Sequence, residues 1–560
     1  MPPAPAVAAR LSADPLIRLR VDGVDVEVSD DELSLLDVLR ERLALRTPKD
    51  GCSPQGQCGC CTVWVDGAPR VSCVTPIRRL AGREVTTVDG LDPEVRDRWA
   101  DAFTEAGASQ CGFCTPGIIM RLAALGGPGR DPARVVPDVK VHQALAAHLC
   151  RCTGWQTVVE AARLAFEGPR RSERSARDVT AAARRASIEG RSAQRVGPDV
   201  ALGAGSFADD TAPADAAVAL SDGAGGFVVA DSAQEARARG HKVQGRRTTI
   251  EVSHPVEVPP GEWSLTLQTT WVEPAYVEPD ASWCLPGGEP ASPCANGGAF
   301  GGKRHSPLPE VARRLAAEHQ RPVRVLWSRE DVVRFGPKRP PVAGGVASDG
   351  SGVLRVGVSA PWPDDSWADL ERAVAGVAPG LSVEPIAVVG PPVSGDQRAA
   401  VWAEAAVLAA CAAMVGSLGS GPHRNVPVEV VAPDGGRAVV SCGPDEIITV
   451  TVAAGDVLDD VTLRSYCIGA VHQALGWVRS EGIAVDAEGS VHDLTIRSFG
   501  IIPARSVPPI TVIIDQGDGG EPVNGSDAVF AATAAACWLA DGLAPTWPTR
   551  RTSGARRLPA

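Results

Sequence analysis

The amino-acid sequence predicts an α+β protein with several domains, and three observations carry that prediction. The chain has 560 residues, enough for three or four domains, and 44% of them are apolar, enough for buried cores. Residues 16–28 form two alternating apolar runs joined by Asp22-Gly23, a pattern typical of a β-hairpin. Residues 93–167 instead repeat apolar side chains at helical spacing and have few strand signals.

The first domain is predicted to span residues 15–92 and to begin with the hairpin. Ser29 or Asp30 is predicted to cap a helix that runs to about Leu45, because leucines recur on one face of it. Further strands are predicted at residues 62–66, 71–74 and 85–88. A hairpin, a helix, a loop and further strands follow one another in this order in a β-grasp domain, so we expect that fold.

A cysteine-rich loop lies between the predicted helix and the next strand. Its spacing is C-x5-C-x2-C-x11-C, formed by Cys52, Cys58, Cys61 and Cys73. Four thiolates on a glycine-rich loop are what an iron–sulfur cluster requires, and the spacing is close to the plant-type ferredoxin pattern with one extra residue in the first gap. Glycines allow such a loop to bend tightly. The fifth thiol, Cys60, is predicted to be a small buried filler rather than a ligand.

A second cysteine group follows in the helical segment. Cys111 and Cys114 form a C-x-x-C motif, and Cys150 and Cys152 form a C-x-C motif 35 residues further on. A lone C-x-x-C also suits a redox dithiol or half of a zinc site. The two motifs together, directly after the first loop, favour a second cluster. His148 is predicted to be an ordinary histidine on a helix face.

Four strings in this part of the chain carry a resemblance to a known family. They are GCSPQGQCGCCTVWVDG, SCVTP, QCGFCTPG and CRCTGW. The stretch from about residue 15 to 167 resembles the two-cluster iron–sulfur module of the xanthine dehydrogenase and aldehyde oxidase family of molybdenum hydroxylases. The resemblance implies a ferredoxin-like domain and, over residues 93–167, a helical domain, each with one [2Fe-2S] cluster. The implied ligands are Cys52, Cys58, Cys61 and Cys73 for the first cluster and Cys111, Cys114, Cys150 and Cys152 for the second.

Bulk properties exclude several classes of function. A net charge of −12 argues against a general nucleic-acid binder. No apolar run has the length of a membrane span, and the first residues lack a signal-peptide core, so we expect a cytoplasmic protein that does not bind membranes. Residues 168–195 carry eight arginines against three acids and predict a solvated, flexible linker, with a docking strip for an acidic partner left open.

The resemblance continues in fragments over residues 196–550, which look like a shortened, mixed α/β relative of the family's molybdenum-binding region. The loop Gly297–Lys303 matches the glycine-rich loop that packs against molybdopterin in the family. Gly298, Phe300 and Gly301 are the cofactor-binding residues that this match implies.

Three departures from the family pattern bear on activity. The region is about half as long as in the family, and two cofactor-contacting segments have no counterpart. Ser526 occupies the position of the family's general-base glutamate, and a serine hydroxyl cannot accept that proton near neutral pH. No catalytic residue is therefore predicted, and Asp527 would substitute only if the loop shifted by one residue. These departures predict little or no molybdopterin in this chain.

The sequence favours an electron-transfer subunit of a molybdenum hydroxylase complex. No flavin-binding segment lies between the two halves, so FAD is expected on a separate partner chain, and a full-length molybdenum-binding chain is a further expected partner. One alternative is a single-chain molybdopterin-dependent hydroxylase of aldehydes or N-heterocycles. Another is a redox-sensing or scaffold iron–sulfur protein.

Overall fold

A computed structural model of the chain describes residues 16–29, 33–126, 136–167, 177–240, 243–245, 248–418, 421–517 and 519–550. Strands within these ranges form one sheet of five strands and three sheets of four strands. Helices cover or connect the sheets, so the mixed α and β multidomain prediction is confirmed.

The first sheet contains the predicted hairpin. Its strands are β1 (Leu16–Val21), β2 (Val24–Ser29), β3 (Thr62–Val65), β4 (Ala68–Val71) and β5 (Glu84–Thr86). The order is β2-β1-β5-β3-β4, with β1 parallel to β5 and the other pairs antiparallel. Side chains of β1 alternate between solvent and the core, because one face of the sheet covers the first hydrophobic cluster.

The helix after the hairpin is shorter than predicted. It consists of α1 (Leu35–Asp37) and a π-helical turn, Val38–Arg42, and it begins at Ser34 in a reciprocal capping box with Asp37. Ser29 was predicted as a cap, but it ends strand β2, so that prediction is wrong. The alternative cap, Asp30, lies outside the described residues.

The second segment is helical, as the periodicity predicts. Its helices are α2 (Pro93–Glu105), α3 (Thr115–Ala123), α4 (Asp138–Leu145) and α5 (Gln156–Glu167). Helices α2 and α5 pack together through Trp99 and Phe166, whose rings meet edge to face at 5.2 Å. The cysteine motifs lie outside the helices, Cys111 and Cys114 before α3 and Cys150 and Cys152 before α5.

Part of the predicted linker is a buried helix, α6 (Val179–Gly190). Arg185 is fully buried and donates to the backbone carbonyls of Val457 and Val523 at 3.0 and 2.7 Å. Glu189 is 1% exposed and pairs with Arg185. The prediction of a solvated, flexible segment is therefore wrong for residues 179–190, because these two charges satisfy each other and backbone groups of the C-terminal region.

The remaining chain forms three sheets and their helices. The strands are β6 (Ala217–Ser221), β7 (Phe227–Ala230), β8 (Leu265–Gln268), β9 (Ala281–Cys284), β10 (Val323–Leu326), β11 (Val342–Val346), β12 (Gly352–Val358), β13 (Leu381–Ala387), β14 (Val428–Val431), β15 (Arg437–Cys442), β16 (Ile448–Ala453) and β17 (Ile510–Asp515). The helices are α7 (Pro198–Ala201), α8 (Ala208–Thr211), α9 (Ala233–Arg239), α10 (Leu308–His319), α11 (Arg329–Phe335), α12 (Asp364–Val377), α13 (Trp402–Leu418), α14 (Asp460–Arg479) and α15 (Ser526–Ala540). The sheet orders are β7-β6-β10-β9, β13-β12-β11-β8 and β14-β15-β16-β17.

The largest hydrophobic core lies between the last two sheets and helices α13, α14 and α15. Helices α14 and α15 are buried on nearly every face, and they position polar side chains beside the second cysteine group and the glycine-rich loop. Within the described ranges, no helix is both long and apolar enough to cross a membrane.

Candidate iron–sulfur and cofactor sites

The four cysteines of the first set converge in a buried loop. The Cys52 thiol is hydrogen-bonded to the thiols of Cys58 and Cys73, and Cys73 is also hydrogen-bonded to Cys61. The Gln55 N–H donates to Cys52 Sγ at 3.2 Å. Each of the four side chains is at most 5% exposed. Buried thiols that contact one another and accept a backbone hydrogen bond are arranged as the ligands of an iron–sulfur cluster would be.

The second set converges where helices α3 and α5 begin. The sulfurs of Cys111 and Cys152 are 3.7 Å apart. The Cys114 thiol is hydrogen-bonded to that of Cys150, which also lies 3.2 Å from Thr153 Oγ1. All four cysteines are buried.

A [2Fe-2S] cluster takes two cysteine sulfurs on each of its two irons, so four buried thiols in mutual contact fit one such cluster. The two sets of four therefore fit one such cluster each, and the assignment of the eight ligands stays a prediction.

The two cysteine sets are in contact through the backbone. Leu149 N–H donates to Cys58 C=O at 3.0 Å, and a Cβ on Gly117 of α3 would lie 2.4 Å from the Gly59 carbonyl oxygen. His148 packs against Gly59 and lies beyond the end of α4, so its predicted place on a helix face is wrong. Burial lowers the pKa of His148 to about 3, which keeps the ring neutral.

Cys60 is fully buried beside the first set. Its thiol donates to Cys58 C=O at 3.9 Å, and its backbone C=O accepts from Lys49 N–H at 3.2 Å. Burial fits the predicted role of a small filler, but the choice of Cys61 rather than Cys60 as a ligand stays a prediction.

The glycine-rich loop lies directly on the second cysteine set. A Cβ on Gly298 would be 3.0 Å from Cys111 Sγ and 3.6 Å from Cys152 Sγ. Asn296 Nδ2 donates to Cys111 C=O at 2.8 Å and fixes the loop there. Phe300 and Gly301 both have positive φ, at 47° and 92°, and they turn the chain away from the cysteines.

A cavity opens beside this loop. Phe300 lines it, and the Arg398 guanidinium lies 4.8 Å from the centre of that ring. Arg151, which stands between Cys150 and Cys152, lines the cavity as well and donates two hydrogen bonds to Glu481 at 2.5 and 2.8 Å. The cavity is therefore bounded by a residue that adjoins two of the predicted cluster ligands. We call it the central cavity.

Glu273 contributes a carboxylate to the central cavity and is 1% exposed. Its Oε2 pairs with the buried ammonium of Lys338 at 2.8 Å. No described residue hydrogen-bonds to Oε1, although a buried carboxylate oxygen normally has a donor. Burial lowers the pKa of Lys338, and the Glu273 charge opposes that effect.

Other buried polar atoms without partners lie between α14 and the second cysteine set. They are Gln110 Oε1 and the amide of Gln194; the Tyr466 hydroxyl contacts the Gln194 amide and has no other partner among the described residues. Gln110 Nε2 donates to Cys152 C=O at 3.1 Å, which places this amide beside the cluster ligands. Donors and acceptors left open at one edge of the site suit a polar heteroaromatic group such as a pterin.

Ser526 begins helix α15, and both its backbone N–H and its hydroxyl have hydrogen-bond partners. Its N–H donates to Glu189 Oε2 at 2.8 Å, and its hydroxyl accepts from Arg398. Asp527 pairs with Arg398 at 2.9 Å and with Arg191 at 2.7 Å. Both carboxylate oxygens of Asp527 are therefore held by arginines and are not directed at the central cavity.

Comparison with known proteins gives the family. A model of the [2Fe-2S] binding domain matches residues 87–163. One of the subunits of nicotinate dehydrogenase from Pseudomonas putida is 40% identical over 157 residues, which is 28% of this chain and 97% of that protein. The chain belongs to the xanthine dehydrogenase and aldehyde oxidase family of molybdenum hydroxylases. A second family member, one of the probable xanthine dehydrogenase subunits of Bacillus subtilis, is 36% identical over 146 residues, 26% of this chain and 82% of that protein.

The likeness to a solved family structure extends beyond the iron–sulfur module. The aldehyde oxidoreductase from Desulfovibrio desulfuricans superposes with a TM-score of 0.65 and 14% identity, covering 93% of this chain and 97% of the other. At that identity the likeness shows the fold alone. It does show that the C-terminal region shares the fold of that protein, as the family resemblance over residues 196–550 predicts.

Several residues in and around the central cavity were missed at the sequence level. Arg151 is part of the string CRCTGW, but its pairing with Glu481 spans 330 positions and has no local signal. Glu273 lies in none of the four strings that carry the family resemblance. Gln194 falls in the arginine-rich stretch that was interpreted as a linker.

Proposed function

We propose that this chain is a single-chain hydroxylase of aldehydes or N-heterocycles, with molybdopterin and two [2Fe-2S] clusters on one polypeptide. One observation carries the proposal: Arg151 stands between two predicted cluster ligands, Cys150 and Cys152, and its side chain lines the central cavity. A redox centre in that cavity would be separated from the second cluster by a single side chain. The family architecture over nearly the whole chain supports the same proposal.

The residues around the central cavity fit molybdopterin. Phe300 of the glycine-rich loop lines the cavity, and Gln110 and Gln194, which lie outside its lining, would offer polar atoms to the part of the cofactor nearest the second cysteine set. When bound, the cofactor supplies two-electron oxidation of the substrate, which side chains alone cannot perform. Gly298 and Gly301 let the loop pack closely on Cys111 and on the backbone of Asp396, where a Cβ would collide.

Glu273 is the proton acceptor that we propose for this cavity. It is buried, it lines the cavity, and Oε1 has no hydrogen-bond partner among the described residues. Lys338 holds Oε2 and orients the carboxylate. A positioned base of this kind contributes about a hundred- to ten-thousand-fold to rate. Glu481 is less suited, because Arg151 occupies both of its oxygens.

Electrons would leave through the second cysteine set and then the first. Contact between the two cysteine loops at Cys58, Leu149 and Gly117 supports this order, because no helix or strand separates the loops there. The electron acceptor that we propose as a partner is an FAD-binding protein on a separate chain. The nicotinate dehydrogenase relative, which is named as one of the subunits of a larger enzyme, supports an arrangement of several chains.

A second candidate function is the electron-transfer role favoured by the sequence. One observation favours it: three arginines, Arg151, Arg339 and Arg398, line the central cavity, and each is held by a buried carboxylate, of which only Glu481 lines the cavity itself. If those side chains keep the cavity filled, the chain would only relay electrons from a separate molybdenum-binding chain.

Metal analysis of the full chain separates the two candidates. The protein is purified from a host that makes molybdopterin, and iron and molybdenum are measured per chain together with oxidation of an aldehyde and an N-heterocycle. We expect about four irons and about one molybdenum from the proposed cofactor set, with turnover of a member of one class. The same iron content without molybdenum, in protein that co-purifies with a larger molybdenum-binding chain, would establish the relay function instead.

A further inference from the structure

A second cavity lies beside the two cysteine loops. It is at the carboxyl ends of the parallel strands β6 and β10, where Leu220, Ser221, Leu326 and Trp327 line it. Ligands of open α/β sheets bind in this position, because the crevice outside the strand ends is framed by loops. We call it the strand-end cavity. It shares no lining residue with the central cavity.

The strand-end cavity reaches both predicted clusters. Asp50 and Ser53 line it, and Ser53 directly follows Cys52 of the first set. Phe113 lines it as well and directly precedes Cys114 of the second set. A ligand in this cavity would therefore lie one residue away from a ligand of each cluster, close enough for direct electron transfer.

The lining is apolar with an excess of negative charge. Leu220, Leu326, Val243 and the rings of Phe113 and Trp327 form its apolar part. The charged lining residues are Asp50, Asp209, Glu278, Asp280, Asp331 and Arg237. Asp50, Asp209 and Glu278 have cationic partners, so the charge of the cavity depends on the remaining acids, Asp280 and Asp331.

Asp280 is the least compensated of these acids. It is 1% exposed, it accepts a hydrogen bond from the Tyr276 hydroxyl at 2.7 Å, and no described cation forms an ion pair with it. By contrast, Arg40 and Arg324 pair with Asp209, and Lys303 pairs with Glu278. A buried carboxylate without a cation favours a positively charged ligand.

We infer that the strand-end cavity binds a planar, cationic aromatic electron carrier of the N-alkylphenazinium type. The apolar walls and aromatic rings would hold its ring system, and Asp280 would balance its charge. Each reduced cluster gives one electron, and the carrier takes both electrons and one proton from solvent to become the neutral dihydrophenazine. The inference requires the two proposed clusters but not molybdopterin.

Stopped-flow reoxidation of the clusters tests this inference. The purified chain is reduced with dithionite, freed of excess reductant and mixed with N-methylphenazinium or with ferricyanide as an anionic acceptor. We expect the reoxidation rate to saturate with N-methylphenazinium and to rise linearly with ferricyanide. A linear dependence for both acceptors would overturn the inference, whereas absent cluster absorbance would instead contradict the proposed clusters.

Two variants locate the binding step. Val243→Trp fills the cavity and should raise the half-saturating concentration of N-methylphenazinium at least tenfold, while Val228→Trp, on β7 and outside the cavity, should not. Asp280→Asn keeps an acceptor for Tyr276 and removes the charge, so it should also weaken binding about tenfold. Unchanged half-saturation in Asp280→Asn and Val243→Trp, with cluster spectra intact, would rule out this site.

Discussion

The Arg151 guanidinium donates to both carboxylate oxygens of Glu481, at 2.5 and 2.8 Å, and both side chains are nearly fully buried. The pair connects the loop between Cys150 and Cys152 to the segment after helix α14. It therefore couples the predicted second cluster to the wall of the central cavity. Its geometry is bidentate, which sets orientation as well as distance.

Removal of one partner of this pair should be costly. Glu481→Gln leaves the Arg151 charge buried without a counter-charge, which costs about 3–5 kcal/mol for a buried pair. We expect a corresponding loss in the free energy of unfolding and a changed paramagnetic signal of one cluster. Glu429→Gln is the matched control, because Glu429 is exposed and pairs with Arg437 at the surface. Equal stability of the two variants would contradict the role given to the pair.

The two cysteine sets should give two distinct [2Fe-2S] centres. Cys58→Ser should remove one paramagnetic signal of the reduced protein and Cys114→Ser the other, because each variant breaks a different set. Iron content should fall from about four to about two per chain in each variant. The same signal lost in both variants would show that the sets are not independent.

Cys60→Ala is the control for that experiment. Its thiol is buried and contacts that of Cys58, but the predicted filler role requires no metal bond, so the variant should keep the full iron content and both signals. Loss of the first signal in Cys60→Ala would show that Cys60, rather than the adjacent Cys61, is the ligand.

How far the sequence predicts this molecule depends on the range of each interaction. The hairpin around Asp22-Gly23 and the cysteine spacings are local patterns, so residue order alone carries them. The pairing of Arg151 with Glu481 joins positions far apart, and no periodicity encodes it. Helix α6 was wrongly predicted for a related reason. An arginine-rich composition predicts a solvated segment. In the folded chain, however, Arg185 and Glu189 are buried, because they hydrogen-bond to carbonyl and N–H groups of the C-terminal region.

Gly298 should be required because of its contact with the second cysteine set. Gly298→Ala places a Cβ 3.0 Å from Cys111 Sγ and forces a side chain into a backbone with φ of 84°. We expect destabilisation of about 1 kcal/mol or more and partial loss of the second cluster signal. Gly287→Ala is the control, since it has φ of 72° and no atom within 4 Å of the added Cβ. Gly287→Ala should lose only the stability that a side chain at positive φ costs, and it should keep both cluster signals.

Glu278 should make stability depend on pH. Burial raises the pKa of Glu278 to about 7, against the opposing effect of Lys303, from an ordinary value of 4.5. The neutral form is favoured in the fold, so the stability contribution is fully present below pH 4.5 and is lost as the pH rises through 7. A pKa shift from 4.5 to about 7 corresponds to about 3 kcal/mol in the free energy of unfolding. The stability of wild type relative to Glu278→Gln, followed by thermal unfolding, should therefore decline by about that amount between about pH 4.5 and about pH 7.5. Parallel pH profiles would contradict this.

Glu273 should be needed for turnover but not for cofactor content. Glu273→Gln keeps the size of the side chain and removes the proton acceptor, so turnover should fall about a hundred- to ten-thousand-fold while iron and molybdenum per chain stay unchanged. Glu273→Asp retains a carboxylate and should recover part of the rate. Glu262→Gln is an exposed control on the same part of the chain and should behave as wild type.

The ion pair between Glu273 and Lys338 requires a stability control in the same experiment. Glu273→Gln leaves the Lys338 ammonium buried without its counter-charge, so a fall in rate could also follow from partial unfolding. The melting temperature is therefore measured alongside, and the rate is compared with that of Glu273→Asp, which keeps a carboxylate for Lys338. Retained turnover in a folded, molybdenum-loaded Glu273→Gln protein would remove Glu273 from the proposed reaction and return the question of the base to the Ser526 position.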